Sequence, residues 1–321
     1  MYSFRTEIEN PVVQKDIIEL ERKIHLYQED KIDENGFRSL RLARGIYGQR
    51  QQGVQMIRIK LPFGKLNAEK LHRIADVSDE YSTGRLHITT RQDIQIHYVS
   101  LDRTPELWAE LEKSDITLRE ACGNAVRNIT ASETAGIDPE EPFDVSPYAD
   151  AVFKFFLRNP ICQELGRKFK ISFSATANDR ALSFIHDLGF IAKIKKERGQ
   201  KIKGFKVMIA GGLGAQPRHA QTVFEFLETD KIIPFIESTL RIFDRFGERN
   251  RRAKARLKHL ILNMGLETFL KHIEEEQGSL SCQSFPIEEK NTDSGDFKND
   301  PDIPEISIDD PSSYDTWKRT N

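Results

Sequence analysis

Apolar residues recur at helical spacing near the start of the chain, where Val13, Ile17, Leu20 and Ile24 predict a helix over residues 12–32. A strand is expected over 55–61, broken by Pro62 and Gly64. Asn67 then stands as an N-cap, and Leu71, Ile74 and Ala75 form one apolar stripe that ends before Gly84. Strict alternation from 85 to 99 predicts one long strand. Thr104 followed by Pro105 opens another helix through Leu111, in the cap-then-proline order of helix starts. Strands and helices in this succession predict an α+β unit with an antiparallel or mixed sheet.

A second unit begins near Pro147, with a helix expected over 147–157, a strand over 168–175 and a helix over 180–188. Strands follow over 190–194 and 205–210, the latter running into Gly211, Gly212 and Gly214; helices are expected over 217–227, 234–246 and 250–276. After Glu276 the apolar period is lost, and residues 277–321 hold ten acidic side chains against four basic ones. Such a segment cannot bury enough apolar surface to fold, so a flexible linker is expected. The expected divisions are therefore 1–145, 146–276 and a linker over 277–321.

A chain of 321 residues is long enough for two such units, each with its own core. No apolar run approaches the roughly 18 residues that would span a bilayer. The start, MYSFRTEIENPVV, lacks a basic-then-apolar leader, so a cytoplasmic protein with no membrane partner is the default expectation. A formal net charge of -2 gives no global field for nucleic acid. The basic run 249–258 has no interleaved aromatics and reads as the solvated or interface face of a helix. Cys122, Cys162 and Cys282 are scattered without a CxxC pair, which argues against structural zinc or a disulfide framework. A cubane iron–sulfur cluster normally takes four thiolates, so these three do not build one, and no metal site is expected within this chain.

Four stretches carry candidate chemistry. On the expected strand RLHITTRQDIQIH, one face presents Arg85, His87, Thr89, Arg91, Asp93, Gln95 and His97. By pattern alone this reads first as an ordinary half-exposed strand; two Arg, two His and a Gln in register also suit a bound anion. In CGNAVRNIT, Gly123, Asn124 and Asn128 favour irregular backbone around Arg127, which by itself reads as a loop with a surface arginine. In RKFKISFS, alternation sets Lys168 and Lys170 on one face and Phe169, Ile171 and Phe173 on the other. Two lysines so spaced repel unless an anion lies between them, although a solvated strand end reads the same way. The junction GGLGAQPR allows backbone N–H groups to approach an anion, but it lacks the lysine and hydroxyl of a nucleotide loop.

Taken together and in this order, the stretches resemble the siroheme-dependent sulfite/nitrite reductase family across roughly residues 1–276. TTRQDIQIH is similar to its Thr-x-Arg-Gln-x-x-Gln-x-His segment and NAVRNIT to its Asn-x-x-Arg-Asn element. RKFKISFSA resembles its lysine strand and AGGLGAQPR its glycine-rich loop. The resemblance implies a ferredoxin-like half-domain followed by a mixed-sheet siroheme-binding half-domain, and six-electron reduction of sulfite to sulfide or of nitrite to ammonia.

By the same resemblance, Arg91, Arg127, Lys168 and Lys170 form the cationic ring around the substrate. Siroheme, with its eight carboxylates, would be held by Arg58, Gln92, Gln95, His97, Asn128, Thr130, Gly212, Leu213, Gly214 and Arg218. Relatives that reduce nitrite tend to carry Asn where Lys170 stands, which points to sulfite. Ferredoxin or another carrier is the implied electron donor. In the family the whole pattern repeats, and the 4Fe-4S cysteines lie in the second copy. The closing residues YDTWKRTN resemble the entry into that copy. The chain is therefore expected to be an N-terminal half, inactive by itself and completed by a half that carries the cluster. The other reading is a non-catalytic tetrapyrrole-binding or interaction protein.

Overall fold

A computed structural model of the chain describes residues 10–289 and 311–320. The bulk of the acidic linker, residues 290–310, lies outside the described residues. Helix α1 (Pro11–Gln28) starts where the Asn10 side chain accepts from Val12 N and Val13 N, and it buries Val13, Ile17, Leu20 and Ile24 as the spacing predicts. A helix the pattern did not announce follows, α2 (Glu34–Ala43), capped by Asp33. Strands β1 (Ile46–Gly48), β2 (Val54–Ile59), β3 (Leu86–Ile88) and β4 (Ile94–Ser100) form an antiparallel sheet in the order β1-β2-β4-β3. Helix α3 (Ala68–Tyr81), capped by Asn67, and helix α4 (Thr104–Glu112) complete this half. Thr104 does not cap α4: its hydroxyl donates back to Leu101 O at 2.8 Å, one residue inside the helix.

The single strand expected over 85–99 is instead a hairpin. Thr89 N donates to Asp93 O, and Thr89 Oγ1 accepts from the backbone N–H of Arg91 and of Asp93 at 3.2 Å each, so TTRQD turns the chain back on itself. Gln92 takes the left-handed conformation (φ 58°) that this turn requires. His87 and Gln95 still share a face as cross-strand partners. Ile88, on the apolar face of that alternation, lies 77% exposed: β3 is an edge strand, and among the described residues nothing covers this side chain.

The second sheet runs β5-β6-β7-β8-β9, from β5 (Thr130–Ala131) and β6 (Ile171–Ser174) through β7 (Leu188–Glu197) and β8 (Gln200–Ile209) to β9 (Gln221–Glu228). Its first three strands are parallel and the rest antiparallel. The helix expected over 217–227 is therefore β9: TVFEFLE is rich in aromatic and branched residues, which favour a strand, and it pairs along β8. No α-helix forms over 180–188 either. Asp179 accepts from Ser183 N (2.8 Å) and Phe184 N, and Leu182 turns left-handed (φ 55°), so the chain makes one short turn and enters β7.

Helix α5 (Ser146–Phe156) and α6 (Ile232–Phe246) pack on this sheet around the Phe143, Tyr148, Phe173, Phe190 and Phe205 rings, which meet edge-on or stacked. The single helix expected over 250–276 divides at Gly265 (φ 87°) into α7 (Leu257–Met264) and α8 (Leu266–Ser279), and the basic run before Leu257 is not α-helical. Two apolar cores result, one built from residues 13–118 and the other from 126–273. Residues beyond 276 also pack on the body: Phe285 N donates to Asp230 O, and its ring meets Phe155 edge-on. Helix α9 (Pro311–Thr320) is a separate unit.

Candidate anion-binding site

The segment 125–132 runs beside the lysine strand in parallel. Arg127 N donates to Phe169 O (2.9 Å), Phe169 N to Ala125 O, and Ser132 N to Phe173 O. That register brings Arg127 next to Lys168. Lys170 is fixed from the other side, where its backbone N–H donates to the buried Asp187 carboxylate at 2.9 Å. Arg91, at the tip of the β3–β4 hairpin, reaches across to the second sheet: Nη1 lies 2.8 Å from His186 Nε2, and Nη2 donates to Asn128 O. Arg127 donates from Nε to Gly123 O and from Nη1 to Ala121 O, both at 3.1 Å.

These are cations held close together out of water. Burial, then the charges of Arg127, Arg167, Arg256 and Arg58, pushes the Lys168 ammonium down to about 8. Burial, then Arg91, Arg256 and Lys168, pushes Lys170 down to about 7, with Asp187 opposing. Burial lowers Arg91 and Arg127 to about 10, so both stay charged at neutral pH. The carboxylates acting on the group are Asp93 and Asp187. Burial raises Asp93 to about 6 against the pull of Arg58 and Arg91. Asp187 is already committed to Arg256, which grips it at 3.1 and 2.7 Å. The cluster thus carries surplus positive charge. Arg91 Nε, Arg167 Nε and Asp93 Oδ1 are buried polar atoms with no hydrogen-bond partner among the described residues. A multiply charged anion would satisfy the two guanidinium donors, whereas Asp93 Oδ1 is an acceptor and would repel it unless protonated.

The structure brings together Arg91, Arg127, Lys168 and Lys170, with Arg58 grouped most closely with Arg127 and Lys168. On the first sheet, the Gln95 amide oriented oxygen-first toward Arg58 accepts from Nε (3.1 Å) and Nη2 (2.6 Å) and donates to His97 Nε2 at 3.3 Å. His97 lies with His87, Arg85 and Tyr98 around an open depression of about 470 Å³. Other expected side chains are spent on backbone. Gln92 pairs both amide ends with Ala131, Asn128 Nδ2 donates to Leu61 O and Arg91 O, and Thr130 Oγ1 donates to Ile171 O. These three hold the turn and β5 in place. In the glycine loop, Gly212 N–H is used by Arg218 O, and Lys258 Nζ donates to the carbonyls of Gly212, Leu213 and Gln216. Leu213 projects outward, 60% exposed, and Gly214 takes φ 114°.

Sequence reasoning missed His186, Asp187, Arg256 and Lys258. The first two were hidden in an expected helix, and the others in a basic run read as a solvated face. An HD pair at the mouth of a strand was the available signal, but its partners are distant in sequence.

Two stretches of the chain match known families. Residues 47–114 match the family described as "Nitrite/Sulfite reductase ferredoxin-like half domain", and residues 122–280 match the "Nitrite and sulphite reductase 4Fe-4S domain". The chain is 29% identical over 276 residues to a protein of Mycolicibacterium paratuberculosis named sulfite reductase [ferredoxin] 1, covering 80% of this chain and 49% of that protein. It is 30% identical over 254 residues to the assimilatory ferredoxin-dependent nitrite reductase of Haloferax mediterranei, covering 75% and 43%. The Mycobacterium tuberculosis NirA protein superposes with a TM-score of 0.74 at 27% identity over 85% of this chain and 53% of that one. A dissimilatory sulfite reductase I structure, at 12% identity and TM-score 0.57, shares the fold. The chain spans about half the length of the curated relatives it matches.

Proposed function

The chain belongs to the sulfite and nitrite reductase family, and from that premise we propose that its cation cluster binds a small oxyanion beside siroheme for the reduction of sulfite. The observation that carries the reading is the surplus of half-buried positive charge: two arginines and two lysines converge where the strongest opposing carboxylates are few, Asp187 being engaged by Arg256 and Asp93 raised to about 6 by burial. Orphaned donors such as Arg91 Nε fit an acid-rich tetrapyrrole and its anionic substrate. Siroheme, when bound, would supply the iron at which the oxyanion is reduced. Arg58, Gln95, His97, Gly212, Leu213, Gly214 and Arg218 would hold its periphery, while Gln92, Asn128 and Thr130 act through the backbone they fix.

In this reading Arg91 and Arg127 orient the anion through fixed guanidinium forks. Lys168 and Lys170 titrate near neutrality, so each can give up a proton from Nζ as oxygen leaves as water and be reprotonated from solvent. Lys170 favours sulfite, the more highly charged anion. The nitrite-reducing relative from Haloferax makes nitrite the second reading. The cysteines do not fit a 4Fe-4S cluster. Cys122 and Cys162 are buried, Cys282 lies beyond α8, and among the described residues no three His, Cys, Asp or Glu side chains group as ligands. No step is therefore derived through a cluster. We assign its thiolates to polypeptide outside these residues.

The test is to load the chain with siroheme and titrate sulfite and nitrite while following the visible spectrum. Sulfite-dependent shifts that weaken in Lys170→Asn support the reading. A chain that takes up no siroheme, or binds neither anion once loaded, overturns it.

A further inference from the structure

His186 makes two contacts that together define its protonation. Its Nδ1 lies 2.8 Å from Leu182 O, which can only accept, so Nδ1 carries a hydrogen. Its Nε2 lies 2.8 Å from Arg91 Nη1, which can only donate, so Nε2 carries a lone pair. The ring is therefore neutral, in the Nδ1–H tautomer. The side chain is buried at the end of a short turn entered through left-handed Leu182, and that end is braced: a Cβ at Gly211 would lie 2.7 Å from His186 O and 2.5 Å from Phe184 O, so only glycine fits against it. Arg91 is thus gripped at Nη1 by an imidazole and at Nη2 by the Asn128 carbonyl, which leaves its Nε buried and unpaired.

Both acceptors are neutral. Arg256, by contrast, is held by the Asp187 carboxylate and its charge is matched there. An arginine bonded to a carboxylate has its charge largely compensated, whereas Arg91, bonded to an imidazole and a carbonyl, feels carboxylates only through the field of Asp93 and Asp187 and keeps more of its charge for a ligand. We propose that His186 is a positioning residue for Arg91, fixing the guanidinium fork in the anion site through a neutral acceptor so that the positive charge stays available. The proposal rests on the anion-site reading above and assigns that site a residue outside the expected set. Burial and the adjacent Arg91 push the His186 imidazole down to about 3, which agrees with a ring that stays neutral throughout the working range.

Three variants separate orientation from mere packing. His186→Gln can place an amide oxygen near the Nε2 position but loses the bond to Leu182. His186→Leu loses both bonds, and His186→Glu supplies an acceptor that discharges Arg91. In the siroheme-loaded chain, the sulfite dissociation constant read from the visible spectrum should rise less than about threefold in the Gln variant. It should rise about tenfold in the Leu variant and about a hundredfold in the Glu variant, the scale of losing or neutralising one charged donor. The Gln and Leu variants should lose similar melting temperature, since both give up the Leu182 bond. Equal affinities for Gln and Leu overturn the proposal, as does a Leu variant that binds like the parent. A second readout needs no cofactor: nitrogen-15 shifts of the His186 ring in the chain alone should show an unprotonated Nε2 from pH 8 to 5 that changes in Arg91→Lys. A proton on Nε2 overturns the positioning role. A parent chain that fails to bind sulfite, with Nε2 unprotonated, instead overturns the functional reading.

Discussion

Replacing Lys170 with methionine should stabilise the cofactor-free chain at acid pH and leave it unchanged at alkaline pH. The Lys170 ammonium stands half-buried among Arg91, Arg256 and Lys168, which brings its folded value from 10.5 to about 7. In the unfolded chain it titrates near 10.5, so between pH 7 and 10.5 the unfolded state binds more protons and stability rises with pH. Below pH 7 both states are charged and the full penalty of holding that charge in the fold is present. A fall from 10.5 to about 7 corresponds, at about 1.4 kcal/mol per tenfold change in acidity, to a ceiling of about 5 kcal/mol. Lys170 is only partly buried, and solvent screening reduces this to about 2–3 kcal/mol. Lys170→Met keeps the apolar stem and removes the charge. Urea unfolding followed by far-ultraviolet circular dichroism should therefore show the variant more stable by about 2–3 kcal/mol at pH 6, narrowing to within about 0.5 kcal/mol near pH 10.5. A variant no more stable at pH 6, or an advantage independent of pH, would refute the claim that this lysine is held charged against its neighbours.

In an assembled, cofactor-loaded enzyme, Arg127→Ala should lower kcat/KM for sulfite by about 10²-fold, the scale for one preorganised donor. The melting temperature should move by only a few degrees, because removing a buried charge from among other cations offsets the loss of its bonds to the Gly123 and Ala121 carbonyls; gross unfolding would make the role structural. Lys170→Asn should reduce the ratio of sulfite to nitrite kcat/KM about tenfold, since it removes one charge while keeping a donor; an unchanged ratio removes the main support for sulfite. The isolated chain, assayed with reduced viologen, should reduce neither anion, because its three cysteines do not group around a cluster; turnover without added polypeptide would contradict this.

What the sequence determined by itself is what depends on short-range periodicity and on residue type. The buried stripe of α1, the Asn67 cap, and Phe169, Ile171 and Phe173 facing the core were all legible, because spacing alone decides which face of an isolated element is apolar. The cationic character of the four stretches was legible for the same reason, and their order was specific enough to indicate the family. Tertiary structure decided the rest. Whether 85–99 is one strand or a hairpin depends on Thr89 bonding across the turn, and alternation reads the same either way when His87 and Gln95 end on one face. Residues 221–228 became a strand because β8 offered an edge to pair with. The neutral ring that holds Arg91 stands 95 residues away from it, and the carboxylate that aligns Lys170 also binds Arg256. Hydrogen bonds between distant segments leave no period in a sequence. In this protein they are what aims the charges.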